Sequence, residues 1–182
     1  MSFQVLAISG SLREGSYNSA ILESIKQVSH KDVEIEIYKD QAHLPLFNAD
    51  LNNHNLETDH SPIMIQNLRR KIREVDAVLF STPEYAFEIP GVLKNTLDWL
   101  VSSGELVDKP VAIISASTSP SGGAKAHEVL VALAKVLSAH VIEQASLCVN
   151  QVNKKFDELG NITDTALESE LEKVIAVLEK ES

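Results

Sequence analysis

The chain has 182 residues, 44% of them hydrophobic, which is typical of one soluble globular domain. Lys and Arg total 16 against 26 Asp and Glu, and the net charge of −10 opposes binding to a nucleic acid. No apolar run approaches the roughly 20 residues that cross a bilayer. The N-terminus lacks a signal-peptide pattern, and the single cysteine excludes an intrachain disulfide. We therefore expect one cytoplasmic domain over residues 1–182, with no membrane or nucleic-acid partner.

Apolar runs of strand length alternate with amphipathic helical patterns along the chain, which predicts a parallel sheet covered by helices on both faces. Five strands are predicted, over residues 3–9, 33–38, 77–82, 110–117 and 140–145. The first, third and fourth are almost continuously apolar and are expected at the centre of the sheet. The second, VEIEIY, alternates apolar and charged residues and is expected at an edge. Two long polar segments, residues 39–60 and 146–164, are expected on the surface, the first as a functional flap or a poorly ordered loop.

Ligands of open parallel sheets bind beyond the carboxyl ends of the strands. The segments that leave the three central strands are GSLREGSYN (10–18), PEYAFEIPG (83–91) and STSPSGG (117–123). In the first, Gly10 permits a sharp turn, and small hydroxyl side chains adjoin a helix N-terminus, an arrangement that binds anions. Arg13 adds a fork-shaped charge suited to phosphate. The same residues are equally compatible with a helix cap at Ser16 or Asn18 and a solvated Arg13, and the segment matches neither the dinucleotide fingerprint nor the P-loop.

The second segment follows a buried strand with Pro83 and ends at Pro90. Because proline interrupts the strand ladder, the backbone groups of residues 84–87 are available to bind the edge of a planar heterocycle, with Tyr85 on its face. Taken alone, the segment fits better a loop whose aromatic residues cover the next helix. At the third segment, hydroxyls are offered by Ser115, Ser117, Thr118 and Ser119, and Gly122-Gly123 allow close backbone approach. The segment is equally read as a flexible polar turn, the safer interpretation for any single serine. The six histidines form no metal-binding set, and no G-x-S-x-G elbow is present, so no catalytic side chain and no metal ligand are predicted.

The three segments together resemble the NADPH-dependent FMN reductase family of flavodoxin-like proteins, which includes bacterial quinone, azo-dye and chromate reductases. GSLREGSYN is similar to the phosphate loop of that family, and TPEYAFEIPGVLKNTLDWL is similar to its second motif. The resemblance covers nearly the whole chain, including SGGAK and NKKFDELGNITD. It implies a flavodoxin-like three-layer α/β sandwich, with a five-stranded parallel sheet of order 2-1-3-4-5 and helices on both faces.

The resemblance implies FMN as cofactor and NADPH or NADH as co-substrate. Ser11, Arg13, Ser16 and Asn18 would then hold the FMN phosphate. The phosphate loop would be completed by Leu12, Glu14, Gly15 and Tyr17. The isoalloxazine ring would be lined by Pro83, Glu84, Tyr85 and Ala86, with Ser117 closing the site. Ala86 departs from the family, which usually has Asn at this position.

The implied activity is ping-pong hydride transfer from NAD(P)H through the flavin to free flavin, a quinone or a similar small acceptor, with no protein nucleophile. The resemblance also implies a homodimer or homotetramer with flavin sites near a subunit interface. The alternatives are a flavodoxin-like electron carrier and a non-catalytic flavin-binding redox sensor. Carriers of that kind typically enclose the ring between aromatic residues, and the absence of an aromatic residue in 117–123 favours the enzyme.

Overall fold

The architecture is a parallel sheet between two layers of helices, seen in a computed structural model that describes residues 2–52 and 59–182. The strands are β1 (Phe3–Ser9), β2 (Val33–Tyr38), β3 (Ala77–Thr82), β4 (Pro110–Ala116), β5 (His140–Val141) and β6 (Leu147–Val149). The helices are α1 (Tyr17–Val28), α2 (Ile63–Glu74), α3 (Gly91–Asp98), α4 (Ala124–Val136) and α5 (Thr165–Lys180). The predicted order β2-β1-β3-β4-β5 is confirmed, with β1, β3 and β4 central and β2 at an edge.

The fifth position of the sheet holds two short strands. β5 pairs with the beginning of β4, and β6 pairs with its end. Between them, a single 3-10 turn at Glu143–Ala145 leaves the ladder. The Ser146 hydroxyl accepts a hydrogen bond from the backbone N–H of Ile113 at 3.3 Å, which satisfies the β4 amide at the gap. The strand expected over 140–145 therefore ends at Val141, and β6 adds a sixth strand that the sequence pattern did not predict.

Two hydrophobic cores lie on opposite faces of the sheet, because successive side chains of a strand point to opposite sides. In β1, Val5 and Ala7 face α1 and α5, whereas Leu6 and Ile8 face α2, α3 and α4. All four side chains are almost completely buried. This double burial explains why the central strands are continuously apolar. None of the helices in the described part of the chain is long and apolar enough to cross a membrane.

The segment after β2 is held against α3 by hydrogen bonds. The Asn95 amide donates to the carbonyl oxygen of Pro45 at 3.0 Å, and its side-chain oxygen accepts from the Phe47 amide at 2.8 Å. The Trp99 indole donates to the same carbonyl at 2.9 Å. Residues 40–52 are therefore an ordered flank of α3. Residues 53–58 of the predicted flap, including His54, lie outside the described residues.

A buried arginine contacts the described residues on either side of positions 53–58. The Arg69 guanidinium is fully buried and donates to the side chains of Asn52 and Asp59, at 2.5 and 3.0 Å. It also donates to the Trp99 carbonyl oxygen at 2.7 Å. One side chain of α2 thus links Asn52 and Asp59 to the end of α3.

Candidate functional site

A cleft opens at the carboxyl ends of β1, β3 and β4. It is lined by Ser11, Arg13, Ser16, Tyr17, Asn18, Pro83, Glu84, Tyr85, Ala116, Ser117, Thr118 and Val152. The structure therefore brings together residues from all three segments that the sequence singled out. Four of the predicted site residues, Leu12, Glu14, Gly15 and Ala86, do not line this cleft.

The first wall of the cleft begins with a close approach of two strands. The Gly10 amide donates to the carbonyl oxygen of Ser81 at 2.6 Å. A Cβ atom at Gly10 would lie 3.2 Å from the Leu93 side chain and 3.3 Å from the Ser81 carbonyl oxygen. These distances are tighter than ordinary van der Waals contact, so a side chain here would push its neighbours by a few tenths of an ångström, and the close approach favours glycine.

The N-terminus of α1 presents hydrogen-bond donors to this cleft. Ser16 is the N-cap residue, but its side chain makes no capping hydrogen bond. Among the described residues, no acceptor is bonded to the backbone amides of residues 17–19. Because amides at a helix N-terminus carry partial positive charge, this turn is suited to an anion rather than to an internal cap. The cap at Ser16 that the sequence left open is therefore not formed.

Side chains of the same loop extend the set of donors. Arg13 is exposed, and its guanidinium donates to the Gly15 carbonyl oxygen at 3.1 Å, which folds the side chain back over the loop. The Ser11 hydroxyl oxygen accepts from the Arg13 amide at 3.4 Å, so its own hydrogen can be donated to a ligand. The loop thus combines hydroxyl, amide and guanidinium donors, the groups that bind a phosphate.

Asn18 lines the cleft, and its side chain is hydrogen-bonded to the sheet. Its side chain is buried, with the amide nitrogen 3.4 Å from the Ala116 carbonyl oxygen and the side-chain oxygen 2.9 Å from the Ser81 hydroxyl. Both ends of the carboxamide are therefore engaged with the ends of β3 and β4. Asn18 borders the cleft through the helix N-terminus, while its side chain ties α1 to the sheet.

The second wall is a tight turn at residues 85–88. Tyr85 and Glu88 exchange backbone hydrogen bonds of 3.0 Å in both directions. The two residues between them, Ala86 and Phe87, have φ angles of 53° and 66°. Two successive left-handed residues define a type I′ turn, for which Asn and Gly are preferred. Alanine at position 86, where the family usually has Asn, therefore strains the backbone of the turn. It does not line the cleft.

Glu84 connects this turn to the third segment. Its carboxylate accepts hydrogen bonds from the backbone amides of Lys125 and Ala126, at 2.8 and 3.1 Å. The side chain is therefore bound to the first turn of α4. The Thr82 hydroxyl donates to the Pro83 carbonyl oxygen at 2.9 Å and holds the start of the same loop. The backbone of residues 83–85 is consequently held from both sides.

The third wall contains two residues, Ala116 and Val152, that the sequence did not single out. Ala116 and Thr118 flank the predicted Ser117, and Val152 comes from the segment after β6. The Val152 amide donates to the Ser117 carbonyl oxygen at 3.1 Å. The single signal for Val152 is an isolated apolar residue in the polar stretch NQVNKK, which indicates an anchored position.

The protein is a doubly wound α/β protein in which the N-terminus of α1 and the 85–88 turn border one cleft at the carboxyl edge of the sheet. The sequence model described as NADPH-dependent FMN reductase matches residues 3–154. The chain belongs to this family, as the resemblance implied. It is accordingly an oxidoreductase of the FMN-using, NAD(P)H-dependent class.

Individual relatives agree with this assignment. An NAD(P)H-dependent FMN reductase of Pseudomonas aeruginosa is 36% identical over 88% of this chain and 85% of the relative. An NADPH:quinone oxidoreductase of Arabidopsis thaliana is 34% identical over 97% of this chain and 90% of the relative. Among solved structures, the flavoenzyme NAD(P)H:(acceptor) oxidoreductase FerB of Paracoccus denitrificans has a TM-score of 0.84 at 25% identity, covering 97% of this chain and 96% of that one.

Proposed function

We propose that the protein reduces small acceptors, such as quinones or free flavin, with electrons from NAD(P)H, and that the cleft described above holds the FMN. The observation that carries this assignment is the convergence of an uncapped helix N-terminus with the rigid 83–88 turn in one cleft. Relatives named as FMN reductases and quinone oxidoreductases support the choice of acceptors. A ligand with a phosphate at one end and a planar ring at the other, such as FMN, would place the phosphate at the helix N-terminus and the ring at the turn.

The phosphate end of FMN fits the loop between β1 and α1. Its donors are the amides of residues 17–19, the Ser11 and Ser16 hydroxyls and the Arg13 guanidinium. A doubly charged phosphate satisfies such a set without a metal ion, and the partial positive charge of α1 stabilises it. Gly15, with φ of 63°, shapes the loop and has nothing within 4 Å of a would-be Cβ atom.

The ring end of FMN fits the wall formed by Pro83, Glu84 and Tyr85. The Glu84 side chain is bound to α4, the Tyr85 backbone is bonded to Glu88, and the Pro83 carbonyl accepts from Thr82. The Glu84 amide and carbonyl, which have no hydrogen-bond partner among the described residues, are therefore the backbone groups left to contact the ring edge. Tyr85 is 53% exposed, so its ring is accessible to a ligand or a co-substrate at the mouth of the cleft. Ser117 and Thr118 border the opposite side.

When bound, FMN would supply the two-electron redox chemistry between the nicotinamide and the acceptor. The protein residues then bind and orient the reactants, which agrees with the lack of any predicted protein nucleophile. We infer a ping-pong order, in which the oxidised nicotinamide leaves before the acceptor takes the same place. NADPH and NADH both remain candidates as donor. A donor of this kind also favours the cytoplasmic location that the sequence suggested.

An anaerobic reduction experiment tests the proposed function. Purified protein loaded with FMN is mixed with NADPH or NADH, and the flavin absorbance near 450 nm is followed by stopped flow. The expected result is loss of absorbance, which returns when a quinone is added. In steady state, parallel double-reciprocal plots are expected for the ping-pong order. If neither nicotinamide reduces the bound flavin, the electron-carrier or sensor alternative replaces the enzyme.

We also propose that the protein forms a homodimer or homotetramer. Leu46 is 83% exposed although its neighbours are hydrogen-bonded to α3, and Phe87 is 73% exposed beside the cleft. Rigidly held, exposed apolar side chains are a feature of interfaces. Light scattering of the wild type is expected to give a dimer or tetramer mass, and Leu46→Glu is expected to shift it towards the monomer. A monomeric wild type would contradict this proposal.

A further inference from the structure

Helix α4 is capped by a side chain from a distant loop. The Glu84 carboxylate oxygen Oε2 accepts hydrogen bonds from the amides of Lys125 and Ala126, at 2.8 and 3.1 Å. These are the second and third residues of α4, the two whose amides an N-cap side chain normally satisfies. The sequence separation is 41 residues for the first bond, so the cap comes from the loop after β3 and not from the helix itself.

The local backbone explains why α4 needs a cap from elsewhere. Its N-cap residue is Gly123, with φ of 80°, and it has no side chain that could accept a hydrogen bond. A Cβ atom at this position would lie 3.5 Å from the Glu84 Cβ and 3.4 Å from the Ser115 Cβ. Any other residue at 123 would need a strained left-handed backbone, and its Cβ would touch the side chains of Glu84 and Ser115. Gly123 thus leaves the N-terminus of α4 without a cap of its own, and Glu84 supplies the acceptor oxygen.

The same contact determines how the charge of Glu84 acts in the cleft. An ionised carboxylate in the lining of a site for an anionic cofactor would repel that cofactor. Here the carboxylate sits at the positive end of α4 and receives two amide hydrogen bonds, which offset its charge. Glu84 thus lies in the wall of the cleft with its charge engaged by the helix.

We propose that Glu84 is a positioning residue for FMN: it clamps the 83–88 turn onto the N-terminus of α4 and so holds the ring-facing backbone in a binding-ready geometry. This inference rests on the proposed function, since it takes the cleft to be the FMN site. It assigns the effect to the acceptor oxygen and not to the negative charge. The two variants to compare are Glu84→Gln and Glu84→Ala, because glutamine keeps an acceptor oxygen and removes the charge, whereas alanine removes both.

Two measurements on the full chain test the proposal. The first is FMN affinity by quenching of flavin fluorescence. The second is hydrogen exchange of the Lys125 and Ala126 amides in the FMN-free protein, which reports on the cap directly. Glu84→Ala is expected to weaken FMN binding by roughly tenfold, within the range that loss of an N-cap produces, and to speed exchange at both amides. Glu84→Gln is expected to bind FMN with wild-type affinity, and its Lys125 and Ala126 amides are expected to exchange as slowly as those of the wild type.

Glu172→Ala is the matched control, because Glu172 is an exposed carboxylate on α5 that does not line the cleft. It is expected to leave FMN affinity and exchange at Lys125 and Ala126 unchanged. Wild-type affinity in Glu84→Ala would overturn the inference, and so would a Glu84→Gln variant as weak as Glu84→Ala. If the wild type itself does not bind FMN, the proposed function fails, whereas the exchange measurement still reports whether the cap is formed.

Discussion

The Ser81 hydroxyl donates a hydrogen bond of 2.9 Å to the side-chain oxygen of Asn18, joining the first turn of α1 to the end of β3. The amide nitrogen of the same side chain lies 3.4 Å from the Ala116 carbonyl oxygen at the end of β4. One carboxamide therefore joins α1 to the ends of β3 and β4, two of the three strands whose ends form the cleft. The Asn18 side chain is buried and holds the walls of the cleft in place through these hydrogen bonds.

We expect Asn18→Ala to lower the stability of the FMN-free protein. The change leaves the Ser81 hydroxyl without its acceptor in a buried place, a loss of about 1–3 kcal/mol. Urea unfolding without added FMN measures this free energy directly. Asn153→Ala, at an exposed position, is the control and is expected to be neutral. Equal stability of the Asn18→Ala protein and the wild type would show that the buried link contributes nothing.

Arg13→Ala is expected to weaken FMN binding without lowering the stability of the FMN-free protein. The side chain is exposed, so the unfolding midpoint of the FMN-free protein should not change. FMN affinity should fall by about 1–3 kcal/mol, the scale of a charge-assisted hydrogen bond to phosphate. Riboflavin, which lacks the phosphate, should bind the variant and the wild type equally. Arg70→Ala removes another exposed arginine, one that pairs with Glu74 on α2, and serves as the control. Unchanged FMN affinity would remove Arg13 from the phosphate site.

Ala86 offers a test of backbone strain. At φ of 53° an alanine is strained relative to glycine or asparagine, by roughly 1 kcal/mol. Ala86→Gly and Ala86→Asn should therefore raise the free energy of unfolding by up to about 1 kcal/mol. Ala176→Gly, at an exposed position in the interior of α5, should lower it by a similar amount, since the same replacement there costs helix stability. A loss of stability on both Ala86 replacements would contradict the assigned turn.

The ion pair between Arg69 and Asp59 predicts a pH dependence of stability. Burial alone would raise the pKa of Asp59, but hydrogen bonds from Ser61 and Arg69 outweigh it and hold that pKa below the ordinary value of 3.8. A group whose pKa is lowered by folding stabilises the protein above the unfolded pKa, and this contribution is lost as the pH falls through the folded pKa. The stabilisation should thus be complete near neutrality and disappear only below about pH 4.

Asp59→Asn provides the measurement. At pH 7 the variant should be less stable than the wild type by about 1–3 kcal/mol, because the buried Arg69 loses its charged partner. The difference should shrink as the pH is lowered below about 4 in a series of urea titrations. Asp50→Asn, in the same segment but exposed, controls for general charge effects. A difference that stays constant down to about pH 3 would rule out this linkage.

Strand positions could be read from the sequence with little error. The limits of β1, β2 and β3 agree with the apolar runs, because burial on one or both faces leaves a local pattern of period two or a continuous run. β4 ends one residue earlier than expected, at Ala116. The split into β5 and β6 left no such signal, since it depends on how Ser146 meets the neighbouring strand.

The site divides in the same way. By itself, the sequence determined which three loops face one another and, through two long motifs, the family to which the chain belongs. Tertiary structure alone decided how the side chains are used: Glu84 caps α4, Asn18 bridges two strand ends, and Asn95 with Trp99 holds the segment around Pro45. The physical reason is the separation of the interacting groups along the chain. Strand burial is written in neighbouring residues, whereas each of these hydrogen bonds joins groups about 40 or more positions apart along the chain, and only the folded chain sets their distance.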